Sequence, residues 1–330
     1  MDYVYLIASF TVILAGALLF TNAVEWIGHR LKLGEGAVGS LLAAVGTAMP
    51  ETLIAIVALI GATKSEDVAV GAIVGAPFLL ATLAMGLVGL VAYTYRHRRE
   101  QGIELWAHVP TLDRDLLFFL VFFALALALG FGAPGAIRIV AGILFFAAYP
   151  FYVWRTLRRG GEAQPEETLN PLIMDRRPGR EGDPSIGIAV LQFLIGLGAM
   201  VGGAHLFVEE LLNVAEEVGV EAIVLSLILA PLATELPEKV NSFFWVRDGK
   251  DSLALGNITG AMVFQSTIPV GIGLLFTEWD LSGNAAVSVA LGLAGGVIAY
   301  WALRLRDRFE LPAVLAWISL YVAFIVVVAV

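Results

Sequence analysis

Long apolar runs alternate with short polar connections along all 330 residues of the chain. Ten runs are each long enough for a membrane-crossing helix, at 3–28, 36–61, 68–94, 115–132, 135–154, 185–212, 221–246, 253–276, 283–304 and 311–330. The measure is the ~20 apolar residues that span the hydrocarbon core of a bilayer. Almost nothing is left over for a soluble domain. The first run begins Met1-Asp2 without a basic start, is longer than a signal-peptide core and shows no cleavage site, so it is expected to remain as a helix. The pattern predicts an all-α integral membrane protein with ten transmembrane helices.

The runs repeat. Residues 16–60 align without gaps on 203–247, pairing Gly16 with Gly203, Ala17 with Ala204, Phe20 with Phe207, Pro50 with Pro237 and Glu51 with Glu238. After a two-residue adjustment the pairing resumes with Gly71 and Gly256, Ile73 and Ile258, Gly75 and Gly260, Thr82 and Thr267. The expected halves are 1–154 and 185–330, with a polar linker at 155–184 that reads as a solvated, partly disordered tether. An odd number of spans per half, five, makes the repeats inverted, an arrangement characteristic of alternating-access transporters.

Composition supports the membrane reading. Hydrophobic residues make up 59% and charged residues 15%, against ~25% charged in ordinary soluble domains. Cysteine is absent, which excludes disulfides, thiolate metal sites and cysteine nucleophiles. A net charge of −9 gives no support for nucleic-acid binding. Lys and Arg concentrate in alternate connections, among them Arg96, Arg98, Arg99, Arg155, Arg158 and Arg159, while the opposite loops hold Lys64 and Arg138. By the positive-inside rule both termini lie outside the cell's inner (plasma) membrane and the linker is cytoplasmic.

Two polar motifs interrupt the apolar pattern, Gly46-Thr47-Ala48-Met49-Pro50-Glu51 and Ala233-Thr234-Glu235-Leu236-Pro237-Glu238. A carboxylate in mid-bilayer costs about 2.5–3.5 kcal/mol on insertion scales, and a helix-interior proline removes a backbone hydrogen bond, so the pair of features points to an ion site. Thr47 and Glu51, like Thr234 and Glu238, stand four residues apart and share one helix face. Helices 2 and 7 are therefore expected to be broken there, freeing carbonyls beside hydroxyl and carboxylate oxygens. An all-oxygen set suits a hard cation such as Ca²⁺.

Here the chain resembles the calcium/cation antiporter superfamily, the sodium/calcium exchangers, whose repeats carry a GTSLPE-like motif followed by a GNxxGSN-like one. The resemblance rests on Gly46–Glu51 with Gly71–Gly75 and on Thr234–Glu238 with Gly256–Gly260. It implies Ca²⁺ exchanged against Na⁺, or against H⁺ in some branches, with Glu51 and Glu238 as central ligands. The chain departs from the pattern at Ala48 and Glu235, at Ala76-Pro77 and Ala261-Met262, and at Leu80 and Gln265, so several sodium ligands are missing. Glu235 is either a ligand or the partner of Lys239 at i+4, and Gln265 either a ligand or an interhelical hydrogen bonder. The candidate metal-ligating set is Glu51, Glu238, Thr47, Thr234, Glu235 and Gln265, with no catalytic residue, no cofactor and no enzymatic activity expected. Partners are inorganic cations and the bilayer. A membrane-embedded enzyme lacks its motifs here, with no HExxH, Ser/His pair or paired aspartates. A passive channel stays open as an alternative that counterflow distinguishes.

Overall fold

The computed structural model describes residues 2–30, 49–61, 65–106, 109–158, 171–175, 183–249 and 251–329. Helices dominate. In chain order they are α1 (Asp2–Arg30), α2 (Met49–Ile60), α3 (Glu66–Leu79), a π-helical turn at Leu80–Ala84, and α4 (Met85–Thr94). Then follow α5 (Val109–Leu129), α6 (Gly135–Arg158), α7 (Ile186–Val218), α8 (Ala222–Arg247), α9 (Asp251–Gln265), α10 (Ile268–Phe276), α11 (Gly283–Arg306) and α12 (Leu311–Ala329). Two short strands, β1 (Leu105–Trp106) and β2 (Arg308–Phe309), pair antiparallel with Leu105 opposite Phe309 and tie two connections together.

Local chemistry sets several boundaries. The Ser65 hydroxyl accepts from Val68 N–H at the start of α3, and Ser185 accepts from Gly187 N–H at the start of α7. Gly219 ends α7 in the left-handed region at φ 70°, where a side chain would be strained.

Seven stretches among the described residues are long and apolar enough to cross a membrane: Tyr3–Val24, Glu66–Thr94, Gly135–Thr156, Ile186–Val218, Ala254–Phe276, Gly283–Arg306 and Leu311–Val328. Large apolar side chains such as Leu18, Ile60, Ile139, Val140, Leu144 and Leu305 stand on the outside, a surface suited to lipid and not to water. Two stretches differ from the rest. Glu66–Thr94 is 94% buried and Ala254–Phe276 is 83% buried, against 17–39% for the others. The centre of the molecule is therefore α3–α4 beside α9–α10, third in order within each expected half.

The expected break in the seventh span is not seen, because α8 runs as one helix through Pro231 and Pro237. Each proline removes only one donor, and packing neighbours carry the helix across it. The interruptions come one span later. In the first half the π-helical turn Leu80–Ala84 follows Pro77; in the second, Ser266 and Thr267 separate α9 from Pro269 in the first turn of α10. Leu80 and Gln265 are paired by the repeat, so both irregularities occupy matching positions.

Close backbone approach holds this centre. A Cβ on Gly71 would lie 2.8 Å from the Ile223 carbonyl oxygen, and one on Gly75 would lie 2.7 Å from that of Leu227, so α8 lies directly on α3. Gly256 and Gly260, paired with them by the repeat, meet no described atom within 4 Å.

Candidate functional site

The site grows out of three helices. α2 begins its described part at the first motif and packs on α3 and α7 while touching α8 and α10. The second motif lies in the middle of α8, which lies along α3. α9 ends at Gln265, where the helix stops. Pro269 has no N–H to give the Gln265 carbonyl, so main-chain and side-chain oxygens of one residue meet at the same interruption.

Glu51 is 3% exposed, Glu235 and Gln265 are 1% exposed, and Thr234 is fully buried. Gln265 Nε2 donates a hydrogen bond to Glu235 Oε1, joining α9 to α8. Gln265 Oε1 is buried with no hydrogen-bond partner among the described residues, an acceptor suited to a cation. The Thr234 hydroxyl donates to the Ala230 carbonyl at 2.8 Å, which fixes its rotamer and leaves oxygen lone pairs for another group. Ser266, Thr267 and Thr82 add buried hydroxyls close to the two helix irregularities. Those of Thr267 and Thr82 turn back onto helix carbonyls, Val263 O and Phe78 O, at 2.7 Å. Two carboxylates, an amide and several hydroxyls are thus buried in an otherwise apolar core.

Of the sequence candidates, Glu235 and Gln265 are in direct contact, Thr234 is one residue from Glu235, and Glu51 is buried on α2. Thr47 and the side chains of Glu238 and Lys239 lie outside the described residues, so the Glu235–Lys239 pair does too. No group of three His, Cys, Asp or Glu capable of holding a metal gathers among the described residues.

Asp115 and the Arg99–Asp251 pair were not singled out from sequence. Asp115 on α5 is 2% exposed; it accepts from the Tyr152 hydroxyl of α6 at 2.7 Å and from Thr259 of α9 at 3.0 Å, and it pairs with Arg114 at 2.9 Å. On the same side, Arg99 and Asp251 form a two-pronged buried ion pair, both contacts 2.8 Å, at the first residue of α9. Asn257 reaches Ser242 on α8 at 3.1 Å, so it bonds between helices as well as packing. Trp106 and Trp154 are about half exposed, as interfacial anchors are. Trp279, by contrast, is 1% exposed and donates to the Ala126 carbonyl at 2.9 Å. Asp115 stands at the polar edge of its run, beside Asp113 and Arg114, where a charge is ordinary; its partners Tyr152 and Thr259 come from other helices and leave no local trace.

Residues 1–158 and 188–330 match the model of the family described as sodium/calcium exchanger protein. Among curated proteins, the putative antiporter CaxA of Alkalimonas amylolytica is 21% identical over 92% of this chain and 89% of its own length. The sodium/calcium exchanger MaX1 of Methanosarcina acetivorans is 24% identical over 88% of this chain and 89% of its own. Among solved structures, the H⁺/Ca²⁺ exchanger CAX superposes with a TM-score of 0.75 at 17% identity, covering 98% of this chain and 82% of that one. The sodium–calcium exchanger NCX_Mj superposes with a TM-score of 0.62 at 19% identity, covering 98% of each. These likenesses establish a shared helical membrane fold.

Proposed function

The chain belongs to the sodium/calcium exchanger protein family, and from that premise we propose that it is a secondary active antiporter that carries Ca²⁺ across the membrane in exchange for Na⁺ by alternating access. The observation that carries this reading is the burial of Glu51 and Glu235, with Thr234 and Gln265, at the centre of a lipid-surrounded helical bundle. Glu51, Glu235 and Glu238 supply charge to a hard divalent ion; Thr47, Thr234 and the Gln265 amide supply neutral oxygens.

Exchange follows from electrostatics. Carboxylates at that depth do not stay charged and bare once Ca²⁺ leaves, so a second cation must take its place before the protein reorients. Inverted repeats give the two faces equivalent access routes, with both termini outside and the linker cytoplasmic. This direction of the loops rests on the Lys/Arg bias of the connections.

A second reading exchanges Ca²⁺ against H⁺, and a specific observation favours it. Leu80, paired with Gln265 by the repeat, is fully buried and apolar, and Ala76 and Ala261 replace further hydroxyl donors. Fewer oxygens for sodium leave protonation as the other way to neutralise the site.

Radiolabelled Ca²⁺ uptake into proteoliposomes under separate Na⁺ and H⁺ gradients decides between them. Only the gradient of the coupling ion should accelerate uptake, and Glu51→Gln or Glu235→Gln should reduce it sharply, because a neutral amide no longer offers the charge that a divalent ion needs. Uptake that follows the electrochemical potential of Ca²⁺ alone would make the protein a channel; near-normal flux in both variants would remove the site.

A further inference from the structure

The linker between α6 and α7 contains five residues, Pro171-Leu172-Ile173-Met174-Asp175, that dock against α1 and α7. Ile173 N–H donates to Asn22 Oδ1 at 3.0 Å, and Met174 N–H donates to Gln192 Oε1 at 2.8 Å. Gln192 Nε2 donates in turn to the Leu19 carbonyl and to Asn22 Oδ1, both at 2.9 Å. Leu172 is 2% exposed, Asp175 is 3% exposed and Gln192 is fully buried. These five residues are docked and do not behave as a solvated tether.

The docking is deep. Asn22 lies eight residues before the end of α1 and Gln192 six residues after the start of α7, so the strap reaches about 9–12 Å past the helix ends. Beyond it, Asp183 Oδ2 meets Arg30 Nη1 at 3.4 Å and His29 Nε2 at 3.7 Å on the last turn of α1. Two amides placed in apolar helices here accept the backbone N–H groups of a tight turn, closed by Asp175 N–H donating to the Leu172 carbonyl at 3.0 Å, and a buried amide stripped of its partner is costly. They form a notch whose occupant is the chain itself.

α1 and α7 are a close pair. A Cβ on Gly196 would lie 2.7 Å from the Phe20 nitrogen, and one on Gly203 would lie 2.8 Å from Ile13 Cγ1. Next to the notch, Phe20 and Met200 belong to a buried cluster with Leu53 of α2, and Met49 and Phe193 pack on it. Glu51 stands between Met49 and Leu53. A physical path therefore runs from the strap through Asn22 and Gln192 to the turn that carries a proposed ion ligand.

We propose that residues 171–175 are a built-in strap that, by occupying the Asn22–Gln192 notch, holds the α1–α7 pair against the first turn of α2 and keeps the ion site closed on the linker side. Undocking frees the pair to move and opens that side. Asn22 and Gln192 are positioning residues; neither touches the ion. The strap's effect on transport rests on the antiporter reading, but its docking does not.

The cysteine-free chain gives a clean test. Leu172→Cys, once its Ca²⁺ uptake has been compared with that of the parent, is labelled in proteoliposomes with a membrane-impermeant maleimide, with Ser185→Cys as the exposed control. The expected result is protection of about tenfold or more relative to the control. Protection should change when Ca²⁺ is replaced by Na⁺ or H⁺. Gln192→Leu should raise both the labelling rate at position 172 and Ca²⁺ uptake. Labelling as fast as the control overturns docking, and labelling unaffected by every ion overturns gating even if Gln192→Leu fails to fold. Faster labelling with unchanged uptake leaves a structural tie and also overturns the proposal. Failure of Ca²⁺ counterflow in the parent chain refutes the antiporter reading separately, since labelling needs no transport.

Discussion

Gln265 illustrates how one side chain can serve a site twice. Its amide nitrogen holds Glu235 across the α8–α9 contact, while its amide oxygen is buried and available to a cation. Hydrogen bonds to a charged acceptor contribute about 1.5–3 kcal/mol, so Gln265→Leu should weaken apparent Ca²⁺ affinity by about tenfold or more, read from the Ca²⁺ dependence of uptake. Leucine is the residue the repeat places at position 80, which makes the change close to volume-conserving. Both polar motifs were legible as carboxylates in apolar runs. The partner of Glu235 was not, because helical spacing points along one helix to Lys239 whereas the hydrogen bond crosses to a residue thirty positions away.

At the scale of elements, glycine decides how helices meet. Gly196 and Gly16 let α7 and α1 touch through their backbones: an added Cβ on Gly196 would lie 2.8 Å from the Gly16 carbonyl as well as against Phe20. Gly196→Ala should therefore destabilise the protein by about 1–3 kcal/mol, as overpacking does, and lower the apparent melting temperature in detergent. Gly198→Ala is the control, since an added Cβ there meets no described atom within 4 Å; it should be neutral or stabilise by about 0.5–1 kcal/mol through helix propensity. Equal losses in both variants would show that backbone contact is not the cause. The length of the apolar runs located the helices. Proline position did not locate the interruptions. A proline removes one donor, but whether a helix opens there depends on what neighbouring helices and hydroxyls supply, so α8 continues through Pro237 while α9 stops before Pro269.

Across the whole molecule, a buried ion pair ties distant connections. Arg99, after α4, grips Asp251 at the head of α9 and also donates to the carbonyls of Val246, Gly102 and Glu104. Asp251 Oδ2 accepts from Trp106 N–H, and Trp106 is in the strand paired with Arg308–Phe309. Two connections thus meet at one guanidinium, and the strand pair ties in a third. Removing one partner strands a buried charge, so Arg99→Leu should cost about 3–5 kcal/mol, seen as a lower unfolding temperature, while Arg99→Leu with Asp251→Leu should recover much of it. A double variant as unstable as the single one would place the effect in the backbone contacts and not in the pair. By itself the sequence determined the membrane class, the helical segments, the repeat pairing and the two motifs, because bilayer length, hydropathy and a costly buried carboxylate act on residues where they stand. Tertiary structure alone decided which helices form the centre, the Glu235–Gln265 bond, the Arg99–Asp251 tie and the docking of residues 171–175. Those depend on groups far apart in the chain, whose energies exist only once the helices have packed.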